Sequence, residues 1–182
     1  MKAHTFVAIV EDLPGVLNRI SSLFRRRGFN IESLTVGHTE RPGISRMTLV
    51  ALTDEAGADR FKAHLYKLVN VISVDDITAK PAVFRDLAMI KVAAPQERRP
   101  EIVHLVEVFR ARIVDLAPDS LTIEITGGED KIDGLLDVLR PYGVLEMART
   151  GRLAMTRAAR STAAAATQAG TDSHDPQVSY SV

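Results

Sequence analysis

The sequence predicts an α+β protein made of two consecutive βαββαβ units, each an antiparallel sheet with two helices on one face. Three observations predict it. Strand-like and helix-like apolar patterns follow one another in the same order twice along the chain. Leu121, Ile123 and Ile125 alternate with Thr122, Glu124 and Thr126, the period of a sheet with one dry face. Arg41-Pro42-Gly43 separates two strand-like runs and suits a tight hairpin turn.

The first unit opens with a strand from Thr5 to Val10 and a turn at Glu11-Asp12-Leu13-Pro14-Gly15. Val16, Leu17, Ile20, Leu23 and Phe24 then mark one face of a helix. Arg25, Arg26 and Arg27 fill its last turn, opposite the negative end of the helix dipole, and Gly28 can take the left-handed conformation that ends it. Two strands follow, Phe29 to Glu40 and Ile44 to Thr53. A second helix carries Ala58, Phe61, Leu65 and Leu68, and Val71 to Ile77 is the closing strand. The second unit repeats the order. Leu87 to Val92 is a strand, and Pro100 opens a helix bearing Ile102, Val106 and Phe109, because its missing N–H costs nothing in a first turn. Strands at Arg112 to Leu116 and Leu121 to Thr126 flank the turn Pro118-Asp119-Ser120. The last helix carries Ile132, Leu135, Leu136 and Leu139 before Pro141, and Val144 to Ala148 is the last strand. The expected division is 1–78 for the first unit, 79–85 for a linker, 86–155 for the second unit and 156–182 for a tail. The tail has alanine at 163–166 but no large apolar stripe to dock it, so it is expected to be mobile.

Composition narrows the function. The chain has 182 residues with 23 basic and 23 acidic side chains, so no net charge draws it to nucleic acid or an anionic membrane. With 46% hydrophobic and 25% charged residues it has the composition of a globular protein. Zero cysteines remove disulfides, thiolate metal sites and thiol catalysis, and fit a reducing compartment such as the cytoplasm. No apolar run approaches the roughly 20 residues of a membrane helix. Glu11 and Asp12 interrupt the first apolar run too early for a secretion signal, so none is expected.

Phe6 to Val10 is apolar at every position, so both faces of the first strand avoid water although two helices can cover only one. A second copy of the chain is the favoured cover, on the preference of proteins for two-fold association. The alternative is the second unit of the same chain.

The segment that could carry chemistry is Asp12-Leu13-Pro14-Gly15, between the first strand and helix. Glycine permits close approach to the backbone, and the free N–H groups of a first helical turn attract a carboxylate. Asp12, or Asn30 at the next strand, can accept from an ammonium group. That pairing suits a free amino acid. The plainer reading is that Asp before Pro-Gly simply starts a helix. Elsewhere the chemistry is thin. His4, His38, His64, His104 and His174 show no i, i+4 pair for a metal. Ser33 and Ser45 have no evident His and carboxylate partners, Glu107 and Glu124 read as solvated faces, and Gly127-Gly128 reads as a turn. The arginines at 25–27 lack the aromatic platform of a nucleic-acid site. No catalytic or metal residue is assigned.

The tract VEDLPGVLNRI, followed by LFRRRGFNIESLTVGHTERPGISRMTLV, resembles the regulatory (small) subunit of acetohydroxyacid synthase, also called acetolactate synthase. The resemblance is specific over residues 5–78, through Arg27 to Leu34 and Ser45 to Thr48, and continues more weakly to about residue 155 through Phe109-Arg110 and Ile113-Val114-Asp115. It implies an N-terminal ACT domain of ferredoxin-like fold followed by a related domain, with no active site of its own. It further implies a homodimer that activates a large catalytic subunit and confers feedback inhibition by valine, or by leucine or isoleucine. Thiamine diphosphate, magnesium and FAD are then expected in the catalytic partner and none in this chain. The effector would lie between ACT domains, with Asp12, Leu13, Pro14, Gly15, Val16 and Leu17 of one protomer facing Asn30 and Ile31 of the other. Many members carry Asn where this chain has Asp12, which sets a carboxylate near the effector's own. Ser45 to Thr48 is either a contact for the catalytic subunit or an exposed strand face, and Glu101 to Arg110 with Arg112 to Asp115 is a comparable candidate. Two rivals are a stand-alone ACT-type amino-acid sensor acting on another enzyme or regulator, and a small ferredoxin-like enzyme.

Overall fold

The computed structural model describes residues 1–158, so the expectation for residues 159–182 of the tail lies outside the described residues. The first module holds β1 (Lys2–Glu11), α1 (Val16–Arg27), β2 (Ile31–His38), β3 (Ile44–Thr53), α2 (Glu55–Leu65) and β4 (Val71–Asp76). Its antiparallel sheet has the order β2-β3-β1-β4, which leaves β2 and β4 as edges. The second module holds β5 (Ala82–Ala93), α3 (Arg99–Val108), β6 (Arg112–Leu116), β7 (Ser120–Gly127), α4 (Glu129–Leu139) and β8 (Val144–Arg149), followed by β9 (Leu153–Thr156). Its order is β6-β7-β5-β8, and β9 pairs with the first part of β5. The α+β class and the doubled βαββαβ order agree with the expectation from sequence.

Local chemistry explains the ends of the elements. α1 starts on Gly15 at φ +84° and stops on Gly28 at φ +70°, where the N–H groups of Gly28 and Phe29 return to the carbonyls of Arg25 and Phe24. That closure spends the Phe29 N–H, so β2 begins at Ile31 and not at Phe29. α2 is capped by Asp54, whose carboxylate accepts from the Gly57 N–H at 2.6 Å. It ends at Leu65, and Leu68, read from sequence as part of the helix, lies beyond it and packs against the same core.

On the helix side of the first sheet, Phe6, Ala8 and Val10 join Met47, Leu49 and Ala51 beneath Ile20, Phe24 and Phe61. Phe61 stacks on Phe6 and Phe24 at 4.1 and 4.5 Å between centroids and takes the edge of Phe29 at 5.2 Å. The second core repeats this with Ala88, Ile90, Val92, Ile123 and Ile125 against Ile102, Val106, Ile132 and Leu135.

Three expectations need correction. The stretch 79–85 is largely strand, because Ala82 to Arg85 pairs with β9. β9 itself was not foreseen, since Leu-Ala-Met-Thr is too short to show a period; it carries Thr156, where the tail was placed. On the far side of the first sheet the chain's own second half supplies cover, the alternative to a second copy. Val7 and Ile77 bury against Ala154, with Ile9, Ala82 and Phe84 packed around them.

A buried polar knot braces the start of β1. His4 Nδ1 bonds Asp76 Oδ2 at 2.8 Å, and Asp76 Oδ1 accepts from both the hydroxyl and the N–H of Thr78. Burial pushes the Asp76 carboxyl up, but the Thr78 and His4 hydrogen bonds outweigh it and hold the group below its ordinary 3.8. Stability from Asp76 is therefore complete above that value and is lost as pH falls through the lower folded value. Urea midpoints of the wild type are expected to drop below about pH 4, and Asp76→Asn to show a flatter profile there. Parallel profiles would remove Asp76 from the acid response.

Candidate functional site

Strand β1 delivers Asp12 and Leu13 to the end of the sheet where the β2–β3 hairpin turns. Asp12 N–H donates to Gly43 O at 2.8 Å, and Leu13 N–H to Glu11 O at 3.1 Å. Asn70, nearly buried, fastens the loop from below. Its side chain donates to Glu11 Oε2 at 2.6 Å and accepts from Arg19 of α1 at 2.7 Å. Gly15 has a left-handed backbone that other residues enter only with strain, and a Cβ there would meet nothing within 4 Å. The loop therefore opens into space.

The first turn of α1 is short of partners. Val16 N–H reaches Leu13 O at 3.3 Å and Arg19 N–H reaches Gly15 O at 3.0 Å. Among the described residues nothing accepts from the N–H groups of Leu17 and Asn18, no side chain caps the helix, and no acidic residue occupies its first turn. This disposes of the plainer reading of Asp12. Its carboxylate caps no helix, and lies 3.2 Å from His38 Nδ1 on β2 in an exposed pair. Such a pair contributes little to stability.

Leu13 and Leu17 are 54% and 46% exposed, Pro14 is exposed and Val16 is buried in the core. Asn30 is exposed and donates to Glu32, while half-buried Ile31 packs against the core. The structure does not bring these two groups together within one chain. Ile31 stands opposite Ala51 and His38 opposite Ser45, so Asn30 and the Asp12 loop lie at opposite ends of β2, roughly 23 Å apart at about 3.3 Å per residue. Within one chain, Asn30 therefore does not share a site with the loop, whereas Asp12 stays beside it. β2 has no partner along its outer edge among the described residues, and Val36 on it is exposed.

A concavity between the modules had no signal in the sequence. A cavity of 460 Å³ lies between the modules, with Glu32, Ser33 and Leu34 of β2 on one wall and Arg149 to Arg152 on another. Its charges are largely matched. Arg149 bonds Asp86 at 2.7 Å and Asp133 at 3.0 Å, and Arg152 bonds Glu129 at 2.7 Å. Burial lowers the Arg149 guanidinium, but the hydrogen bond and charge of Asp86 prevail and raise it. Nothing local in the sequence signals these pairs, because their partners are far apart along it. Arg46, read as either a docking residue or an exposed one, donates to Ala154 O at 2.7 Å and so belongs to the junction.

Among the described residues no group of three or more His, Asp or Glu side chains could hold a metal, and no helix is long and apolar enough to cross a membrane. Two ferredoxin-like modules in tandem, the first with an open loop at a helix start beside a free strand edge, define the class of ACT-type domain proteins. Residues 6–73 match the model for the AHAS small subunit-like ACT domain, and residues 85–158 match that for the small subunit of acetolactate synthase. The chain belongs to the acetolactate synthase small-subunit family.

Its relatives agree. The chain is 53% identical over 154 residues to a probable acetolactate synthase small subunit of Archaeoglobus fulgidus, covering 85% of this chain and 96% of that one. It is 46% identical over 162 residues to the acetolactate synthase small subunit of Mycolicibacterium smegmatis, covering 89% and 95%. The crystal structure of the Thermotoga maritima acetolactate synthase small subunit superposes with a TM-score of 0.82 at 38% identity, covering 87% of this chain and 99% of that one.

Proposed function

We propose that the chain activates a large catalytic subunit of acetolactate synthase and makes it subject to feedback inhibition by valine or a related branched-chain amino acid. The observation that carries this reading is the unfilled first turn of α1, with two free N–H groups above an open Gly15. A helix start of that kind favours an amino acid's carboxylate.

The free edge of β2 supplies the rest. If two copies pair their β2 edges antiparallel about a two-fold axis between Leu34 and Thr35, residue 38 of one chain stands opposite residue 31 of the other. Ile31 of the partner subunit then lies beside His38, which already touches Asp12. Loop and strand end, far apart in one chain, meet across the dimer. The homodimer thus rests on an open edge, and no longer on an uncovered sheet face. Leu13, Leu17 and the partner's Ile31 supply apolar surface worth about 1.5–3 kcal/mol for a small aliphatic side chain. The partner's Asn30 and Asp12 are the acceptors available to the ammonium group.

Under this reading the chain itself is non-catalytic and binds no cofactor, nucleic acid or membrane. Thiamine diphosphate, magnesium and FAD reside in the catalytic partner, and the complex is cytoplasmic. Calorimetric titration of the full chain with valine, leucine and isoleucine tests the reading. Saturable binding of at least one is expected, with preferences among them of about 10- to 200-fold, the discrimination one methylene allows. No binding by a folded, dimeric chain would overturn it.

A further inference from the structure

One short segment builds most of the polar contact between the modules. Thr150 to Arg152 leaves β8, crosses the far face of the first sheet and enters β9. Thr150 O accepts from Thr35 Oγ1 at 3.2 Å, and Arg152 N–H donates to Ser33 Oγ at 2.9 Å. Both partners lie on β2. The Arg152 guanidinium donates to Thr5 on β1 at 3.0 Å and to Glu129 at the start of α4 at 2.7 Å, and its centre sits 5.4 Å from the Phe84 ring centroid. Thr150 is in turn held to β5, where its N–H donates to Leu87 O at 3.0 Å.

Gly151 makes this proximity possible. Its φ is +82°, and a Cβ would lie 2.5 Å from Ser33 Oγ and 3.2 Å from Thr35 Oγ1. A side chain here would push aside the Ser33 hydroxyl that accepts from Arg152 N–H, and would strain the left-handed backbone as well. Apolar surfaces can slide on one another, but hydrogen bonds hold only over a narrow range of distance and angle. A shift of β2 would therefore carry Thr150 to Arg152 with it, and through Arg152 the start of α4.

We propose that Thr150 to Arg152 is the link by which an effector seated at β2 acts on the second module, with Arg152 as its positioning residue. This rests on the function proposed above and specifies how its site is coupled. The edge strand that would carry the dimer contact, at Ile31 and His38, is the same strand that Ser33 and Thr35 tie to the second module. Coupling of this kind typically amounts to about a 5- to 150-fold change in affinity between sites.

The test uses Gly151→Ala, Arg152→Ala, Arg152→Lys and Ser33→Ala in the full chain, reconstituted with the catalytic subunit. Valine binding is measured by calorimetry on the variant alone, and valine inhibition on the complex. Gly151→Ala and Arg152→Ala are expected to bind valine like the wild type yet to lose most of the maximal inhibition. Arg152→Lys, able to keep the ion pair with Glu129, should retain part of it. Full inhibition in folded Gly151→Ala and Arg152→Ala would overturn the link. Parallel loss of binding and inhibition would overturn it too, by making the segment part of the binding site. Should Arg152→Ala not fold, Arg152→Lys and Ser33→Ala decide, since each removes only part of the contact set; wild-type inhibition in both overturns the link. A folded, dimeric wild-type chain that binds none of valine, leucine and isoleucine would instead bring down the functional reading; if it binds leucine or isoleucine and not valine, that amino acid replaces valine in both measurements.

Discussion

Gly15→Asp is expected to move valine inhibition of the reconstituted enzyme to concentrations about 10- to 150-fold higher while leaving its activation intact. The effect is electrostatic and not steric, because a Cβ at this position meets no neighbour within 4 Å. The backbone at φ +84° costs an L-residue roughly 1–2 kcal/mol, partly offset by an aspartate's preference for a helix start. The protein should therefore fold. The new carboxylate would take the N–H groups of Leu17 and Asn18 that a ligand's carboxylate would use, and would repel that ligand. Losing hydrogen bonds to a charged group costs about 1.5–3 kcal/mol, a weakening of about 10- to 150-fold. Gly15→Ala has the same backbone strain without the charge and should keep most of its response. Inhibition curves on the reconstituted complex decide the matter, and unchanged valine sensitivity in Gly15→Asp would remove the loop from the site.

Phe61→Ala should produce the largest loss of stability of any single truncation in the first module, about 3–5 kcal/mol. Phe61 is completely buried, and its ring touches Phe6 of β1, Phe24 of α1 and Phe29 between α1 and β2. Truncation opens a cavity that three elements line at once, and none can close it without leaving its sheet or helix. Phe29 adjoins Asn30, so the strand end proposed to meet the effector should loosen as well. Urea denaturation of the variant measures the effect. A loss below about 1 kcal/mol would mean that the cluster repacks and that Phe61 does not hold the module together.

The helices and most strands were legible because one face of each must be dry. Ile20, Leu23 and Phe24 on α1, and Leu121, Ile123 and Ile125 on β7, show that requirement as a period in the chain. Gly28 and the arginines before it marked the end of α1 for reasons confined to a few neighbouring residues. The limits of legibility lie where distant segments meet. Phe6 to Val10 correctly called for cover on both faces, but nothing in that run could say whether a second copy or Ala154 would provide it. The Arg149–Asp86 pair and the place of Arg46 were hidden for the same reason, and β9 because four residues show no period.

The candidate loop divides in the same way. An open Gly15 at a helix start could be read from Asp-Leu-Pro-Gly, since turn and cap preferences are local. The freedom of Asp12 from capping and its pairing with His38 could not, because they depend on how the β2–β3 hairpin folds beside the loop.

By itself the sequence determined the α+β class, the doubled order of elements, the composition of the two cores and the kinship with acetolactate synthase small subunits. These follow from the period of burial and from local backbone preferences, which neighbouring residues express on their own. Only the tertiary structure decided what covers the first sheet, that Asn30 and the Asp12 loop stand at opposite ends of β2, and that a glycine and an arginine bind the modules to each other. Contacts between segments that are not neighbours in the chain leave no periodic trace, so their geometry exists only once the chain has folded.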